Sequence, residues 1–232
     1  MINKNNVRLA ALGGAVIFVS TIAVLLARQF SLGPARPAPA FRTFGPAGAP
    51  VRIEEYSDFA CGACRAAAGK LDGLLKIYGG GIRLQLKHYP LVNIHPWSLD
   101  AAAYADCAGE QGKYSDYTAL LFESQEKWGK AKEKPGEFEA FARGLNLDWP
   151  KMQACAAAPQ TRQRIKLEMA EAEMKGVSAT PTFFINGKRA VGPAQLVEQA
   201  RKFDNILKAA HCGPLGNCTE LQGSQAAPGG KP

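Results

Sequence analysis

One junction limits most strongly how this chain can fold. Val51–Tyr56 alternates as a strand, with Val51, Ile53 and Glu55 on one face. Shortly after it, Cys61-Gly62-Ala63-Cys64 opens a helix in which Cys64, Ala68, Leu71, Leu75 and Tyr78 recur at helical spacing. The glycines at 79–81 stop that helix, and Ile82–Tyr89 alternates again, with Ile82, Leu84 and Leu86 on one face. A strand, a helix and a second strand of these lengths predict an α/β domain.

The remaining elements extend that unit. From Pro96 to Lys175 the pattern is helical, broken at Gly112, at Lys134-Pro135-Gly136 and over Asn146–Pro150. Gly176 suits the residue just past a helix end. Thr182–Ile185 reads as a strand, Asn186-Gly187 as a tight hairpin turn and Arg189–Val191 as the returning strand. A final helix is expected from about Ala194 to Ala210. The domain should therefore span 49–211, with a helical insertion over about 96–175. Residues 28–48 are rich in Pro, Ala and Gly and read as a linker, and 212–232 as a flexible tail.

Charge and hydropathy point to the membrane rather than to nucleic acid. Of 28 Lys and Arg residues, five (Lys4, Arg8, Arg28, Arg36 and Arg42) lie in 1–42, which holds no acid. The remainder carries 23 basic against 20 acidic residues, so no nucleic-acid surface is indicated. Leu9–Leu26 is uncharged for 18 residues, about 27 Å as a helix, which matches the hydrocarbon thickness. Lys4 and Arg8 before it place the N-terminus in the cytoplasm. We read 1–27 as an uncleaved transmembrane anchor in preference to a cleaved signal. Its apolar run is long, and the nearest small-x-small site, Ala38-Pro39-Ala40, lies well beyond it and contains a proline. Either reading exports the rest of the chain.

The chemistry concentrates in Cys61-Gly62-Ala63-Cys64. Free N–H groups and the helix dipole at a helix start stabilise a thiolate. Cys61, nearest the end, would be the nucleophile, and Cys64, one turn inward, the resolving thiol. A zinc half-site would need two further ligands, and the other cysteines form no second C-x-x-C. An inert disulfide in so tight a loop would be unusual. Thr180-Pro181-Thr182 precedes the apolar strand, and a proline there is an ordinary trans residue or one in a special backbone state. On periodicity, Glu55 sits at a solvated sheet edge or is held inside as a proton acceptor near Cys64.

With these residues placed, the chain from about Pro50 to Ala210 resembles the DsbA-like branch of the thioredoxin superfamily. The resemblance rests on Val51–Cys64, on His95-Pro96-Trp97 leading into Glu110-Gln111-Gly112-Lys113, and on Gly176–Gly187 around Thr180-Pro181. It implies a thioredoxin-like fold with a helical insertion between the second and third core strands. It also implies a cis Pro181 facing the cysteines and a buried Glu55. Strong oxidases of the family tend to carry Pro-His between the cysteines, and here Gly62-Ala63 offers no thiolate-stabilising ring. The expected potential is therefore nearer that of isomerases, about −180 mV or below, than the roughly −120 mV of a strong periplasmic oxidase.

Four cysteines remain, Cys107, Cys155, Cys212 and Cys218, which allow three connectivities. Two fall in the insertion and two bracket a short tail loop, so Cys107–Cys155 and Cys212–Cys218 are favoured as structural disulfides over a redox relay. His88, His95 and His211 form no His–Met cluster for copper, and His95 reads as a helix-start or packing residue. The basic run Lys127–Lys134 reads as a solvated helix end. The expectation is a membrane-anchored, extracytoplasmic thiol–disulfide oxidoreductase, working as an oxidase and needing no metal or organic cofactor. Cys61, Cys64 and Glu55 would be catalytic, with Thr180 and Pro181 presenting backbone to substrate polypeptides. A membrane redox partner would reset the pair. The alternatives are an isomerase or reductase kept reduced, and a metallochaperone or non-catalytic peptide-binding module.

Overall fold

The structure, a computed structural model, describes residues 37–210. Five strands, β1 (Thr43–Phe44), β2 (Val51–Ser57), β3 (Ile82–His88), β4 (Thr182–Ile185) and β5 (Lys188–Val191), form one sheet in the order β1-β3-β2-β4-β5. β2 and β3 run parallel, joined by helix α1 (Gly62–Tyr78), and the other pairs are antiparallel. A parallel pair needs such a crossover because a tight turn cannot connect it. β4 and β5 are joined at Asn186 and Gly187, which have φ of 47° and 80°, as a primed hairpin turn requires. Asn186 also accepts the Arg52 N–H and donates to the Pro50 carbonyl, tying the turn to β2.

Period-two alternation divides the sheet residues between two environments. Val51, Ile53, Ile82, Leu84, Phe183 and Ile185 bury against Ala67 and Leu71 of α1 and against α8 (Gly192–Ala200) and α9 (Phe203–Ala209). Out of phase with them, the Tyr56 hydroxyl donates to Glu171 of α7 (Pro159–Met174). Lys87 is almost fully buried, and its ammonium lies 2.9 Å from Glu54 and 2.6 Å from Glu171. A lysine survives there because two carboxylates replace the water it loses.

The insertion comprises α2 (Ser98–Glu110), α3 (Tyr114–Glu123), α4 (Gln125–Trp128), α5 (Glu137–Gly144), α6 (Trp149–Ala157) and α7. It has its own core of Tyr117, Leu121, Trp128, Phe138, Met152 and Ile165 around the alanines of α2. The breaks at Gly112 and 134–136 fall between helices, while that over 146–150 narrows to 145–148, since Trp149 and Pro150 already open α6 and Asp148 caps it by accepting the Lys151 N–H at 3.0 Å. Two further breaks, at Ser124 and Ala158, lack a glycine signal. Cys107 of α2 and Cys155 of α6 form a disulfide, with Cα atoms 5.9 Å apart.

Two boundaries differ from expectation. Residues 38–44 are not tether: a short 3-10 turn, Ala40–Arg42, leads into β1, which pairs Thr43 with Gln85 and Phe44 with Leu84. The Pro/Ala composition hid two anchors. Arg42 is fully buried, with its guanidinium 3.0 Å from Asp106 and 2.7 Å from Glu168. The Phe41 ring lies so close to Gly109 that a Cβ there would sit 2.3 Å from it. The last helix begins at Gly192 and divides at Arg201 and Lys202 into α8 and α9. The expected anchor over 1–27 and the tail with His211, Cys212 and Cys218 lie outside the described residues. No described helix is long and apolar enough to cross a membrane.

Candidate active site

β2 ends by delivering the chain into a turn at Asp58–Ala60, and Cys61 then caps α1 in an extended conformation, φ −87° and ψ 121°. Its thiol is half-buried, while Cys64, one turn inside, is fully buried. Both are free thiols. The Cys61 thiol reaches the Thr180 carbonyl at 3.4 Å, across the cis Thr180–Pro181 peptide that opens β4. Pro181 sits beside the cysteines because β4 pairs with β2 and its carbonyl is held by the Gly192 N–H at 2.9 Å.

The two sulfurs are electrostatically unequal. The Cys64 thiol donates toward Cys61 and pulls its pKa down to about 5, against the cost of burial and with help from the Ala63 and Cys64 amides. The Thr180 hydroxyl, buried without a well-aligned hydrogen-bond partner, lies close enough to favour a Cys61 thiolate as well. Burial raises Cys64 well above the ordinary thiol, and the neighbouring Cys61 and Glu55 charges add to the shift. Cys61 is depressed, though less than the roughly 3.5 of a strong oxidase, in the direction that Gly62-Ala63 implies. Without a ring between the cysteines, the helix-start amides and Thr180 still hold the charge.

Glu55 is buried in β2, opposite Phe183 of β4, and burial lifts its pKa to about 7, opposed by Ser57. Its side chain borders a cleft of about 470 Å³ between α1, the sheet and α3, walled by Phe59, Leu71, Leu84 and Phe122. The carboxyl is therefore neither at a sheet edge nor sealed off. It can hold or release a proton near neutral pH, next to the sulfur that finds ionisation hardest.

Asp58 and Gln125 are not singled out by the sequence, which gives His88 and His95 no role in the site. Asp58, buried just before the cysteines, bonds His95 Nδ1 at 2.7 Å, so His95 does more than start α2. Gln125 of α4 donates to the Phe59 carbonyl at 2.6 Å and lays the insertion over the cysteine turn. His88 meets Asp106 at 2.9 Å in the cluster that holds Arg42. Burial alone would raise the Asp106 carboxyl, but His88, Arg42 and Arg164 together hold it below its usual range. An acid three residues before a C-x-x-C is the signal that could have flagged Asp58, while His95-Pro96-Trp97 stands out without its bond to Asp58. Among the described residues, no group of three or more His, Cys, Asp or Glu is arranged to hold a metal ion.

Comparison with known proteins agrees with this fold. The family model described as Thioredoxin matches residues 38–206. A thioredoxin-like oxidoreductase from Silicibacter pomeroyi superposes with a TM-score of 0.56 at 28% identity, over 69% of this chain and 91% of its own. Wolbachia pipientis alpha-DsbA1 superposes with a TM-score of 0.63 at 21% identity, over 78% and 95%. A protein named Na(+)/H(+) antiporter NhaA 3 from Salinispora tropica is 32% identical over 74% of this chain. The chain spans about a quarter of that relative's length, 26%.

Proposed function

From a chain that belongs to the thioredoxin family, we propose an extracytoplasmic thiol–disulfide oxidoreductase that exchanges disulfides with protein cysteines and acts as an oxidase. The observation that carries the reading is the asymmetry of the pair. Cys61 is accessible with a pKa near 5, and Cys64 is buried and hard to ionise. A stabilised Cys61 thiolate is a good leaving group from a mixed disulfide, so the oxidised pair passes its disulfide on to substrate thiols once that mixed disulfide has formed. The substrate thiolate attacks Cys61, a mixed disulfide forms, and Cys64 departs with the electron pair. A second substrate thiolate then displaces Cys61 and closes the substrate disulfide. Glu55 exchanges a proton with Cys64 as its charge appears and disappears. Thr180 and Pro181 offer backbone to the extended substrate.

Structural neighbours that include a thiol-disulfide oxidoreductase from Corynebacterium diphtheriae and the thioredoxin-like oxidoreductase from Silicibacter pomeroyi support this class of chemistry. Export, an anchor at 1–27 and a membrane redox partner rest on the sequence of the N-terminus. Antiport belongs to the longer relatives and is not carried over. A reductase or isomerase is the second reading, favoured by the absence of a ring in Gly62-Ala63. Refolding of a reduced, denatured disulfide protein with the oxidised enzyme tests the proposal. Stoichiometric transfer of the disulfide is expected, and an inert Cys61–Cys64 disulfide would overturn it.

A further inference from the structure

Asp58 touches both cysteines and the segment that leads into the insertion at once. Its N–H donates to Cys64 Sγ at 3.4 Å, and its carbonyl accepts the Cys61 N–H at 3.1 Å. Its buried carboxylate accepts the Ala60 N–H at 2.8 Å on one oxygen. The other oxygen accepts the Leu91 N–H at 2.8 Å and lies 2.7 Å from His95 Nδ1. His95 in turn accepts the Ser98 hydroxyl at 2.9 Å on its carbonyl, at the start of α2. Three donors thus converge on one carboxylate, which an acceptor-only group alone can satisfy.

The chemistry gives this arrangement a task. As a substrate sulfur bonds to Cys61, the Cys61–Cys64 bond breaks and the electron pair leaves on Cys64. In the reverse step the Cys64 thiolate attacks Cys61 and expels the substrate thiolate, which takes a proton from water. The same sulfur carries the charge in both directions. It is buried and faces Glu55 and Cys61, which both oppose ionisation, whereas Ser57 favours it. A fixed N–H in a dry site counts for far more than one in water.

We infer that Asp58 and His95 are positioning residues for exchange, holding the Asp58 N–H on the Cys64 sulfur while that sulfur is charged. The inference rests on the exchange function proposed above. Asp58→Asn replaces an acceptor with a donor and Asp58's charge with none; His95→Gln removes the imidazole at a partly exposed position. Reduction of the Cys61–Cys64 disulfide by dithiothreitol should slow by about tenfold in Asp58→Asn and a few-fold in His95→Gln, the effect of losing one hydrogen bond to a charged group. The Cys64 titration, followed by NMR of labelled cysteine Cβ, should move to higher pH in His95→Gln, which keeps the Asp58 charge, while alkylation of reduced Cys61 at pH 7 stays within about twofold in both. Wild-type reduction rates together with an unmoved Cys64 titration would overturn the role. So would an equal fall in Cys61 alkylation, which marks a loosened site. If Asp58→Asn does not fold, His95→Gln decides alone. A wild-type protein that reacts with dithiothreitol but not with protein thiols would defeat the exchange function, while the Cys64 titration still judges the positioning pair.

Discussion

At the scale of single residues, the site works by giving like groups unlike surroundings. Cys61 ionises from about pH 5 because neighbouring donors favour its thiolate. In the reduced protein its alkylation rate should rise through a midpoint near pH 5 and be flat above pH 7, with Cys64 protected throughout. A midpoint at the ordinary thiol value near 8.5 would contradict this. Glu55 provides a second test. Its folded pKa of about 7 exceeds the unfolded value near 4.3, so the folded state holds the extra proton between those limits. Its contribution to stability is full below about pH 4.3 and is lost as pH rises through 7, a loss of roughly 4 kcal/mol. Glu55→Gln removes the titration. Urea unfolding at pH 5 and pH 8 should show the variant gaining on the parent at the higher pH, and a constant difference would refute the buried, raised carboxyl. Periodicity marks Glu55 as an acid on an apolar strand face and leaves its burial open, and only the family resemblance implies a buried acid. Alternation assigns a face, whereas the packing of β4 and the insertion against that face decides exposure.

At the scale of elements, local signals served where a few residues decide the outcome. Asn186-Gly187, Gly112, Gly176 and the Cys61 helix start each fix backbone by their own chemistry, and each ends or begins an element where expected. Residues 38–44 failed that test because their order comes from distant partners. Arg42 is anchored by Asp106 and Glu168, 64 and 126 residues away, which no local pattern reveals. Gly109 lets Phe41 close over α2. Gly109→Ala should therefore drive Phe41 out and loosen its segment, leaving the Asp106 and Glu168 carboxylates poorly paired. A loss of about 3 kcal/mol and new proteolytic cleavage near residues 38–44 are expected, with Cys61 alkylation unchanged. Unaltered stability would mean that the segment is not part of the fold's cohesion. The Cys107–Cys155 bridge belongs to the same scale. It closes a separation of 48 residues between α2 and α6. Replacing both by Ala should cost roughly 4 kcal/mol on the chain-entropy model and leave exchange largely intact. Activity lost without stability would point to a relay instead.

At the scale of the whole molecule, direction is set by how much the reduced pair is favoured. Two features oppose each other. Gly62-Ala63 lacks a stabilising ring, which argues for a reducing potential, while the helix start and Thr180 bring Cys61 down to about 5. A depressed thiolate stabilises the dithiol form and makes the disulfide more oxidising. The Cys61 value lies between those of strong oxidases, near 3.5, and thioredoxin, near 7. The potential should accordingly lie between about −120 and −270 mV when equilibrated with glutathione at pH 7. In the cell, Cys64→Ser in the full-length chain should accumulate mixed disulfides with exported proteins, because the sulfur that releases Cys61 is gone. Cys61→Ser with Cys64→Ser should trap nothing. Acid quenching followed by gel-shift alkylation of the wild-type pair then reads its resting state. An oxidised pair fits a donor of disulfides reset by a membrane oxidase. A pair found mostly reduced would overturn the oxidase and leave the reductase or isomerase, since the same Cys61 and Cys64 run the exchange either way and only the partner that resets them differs.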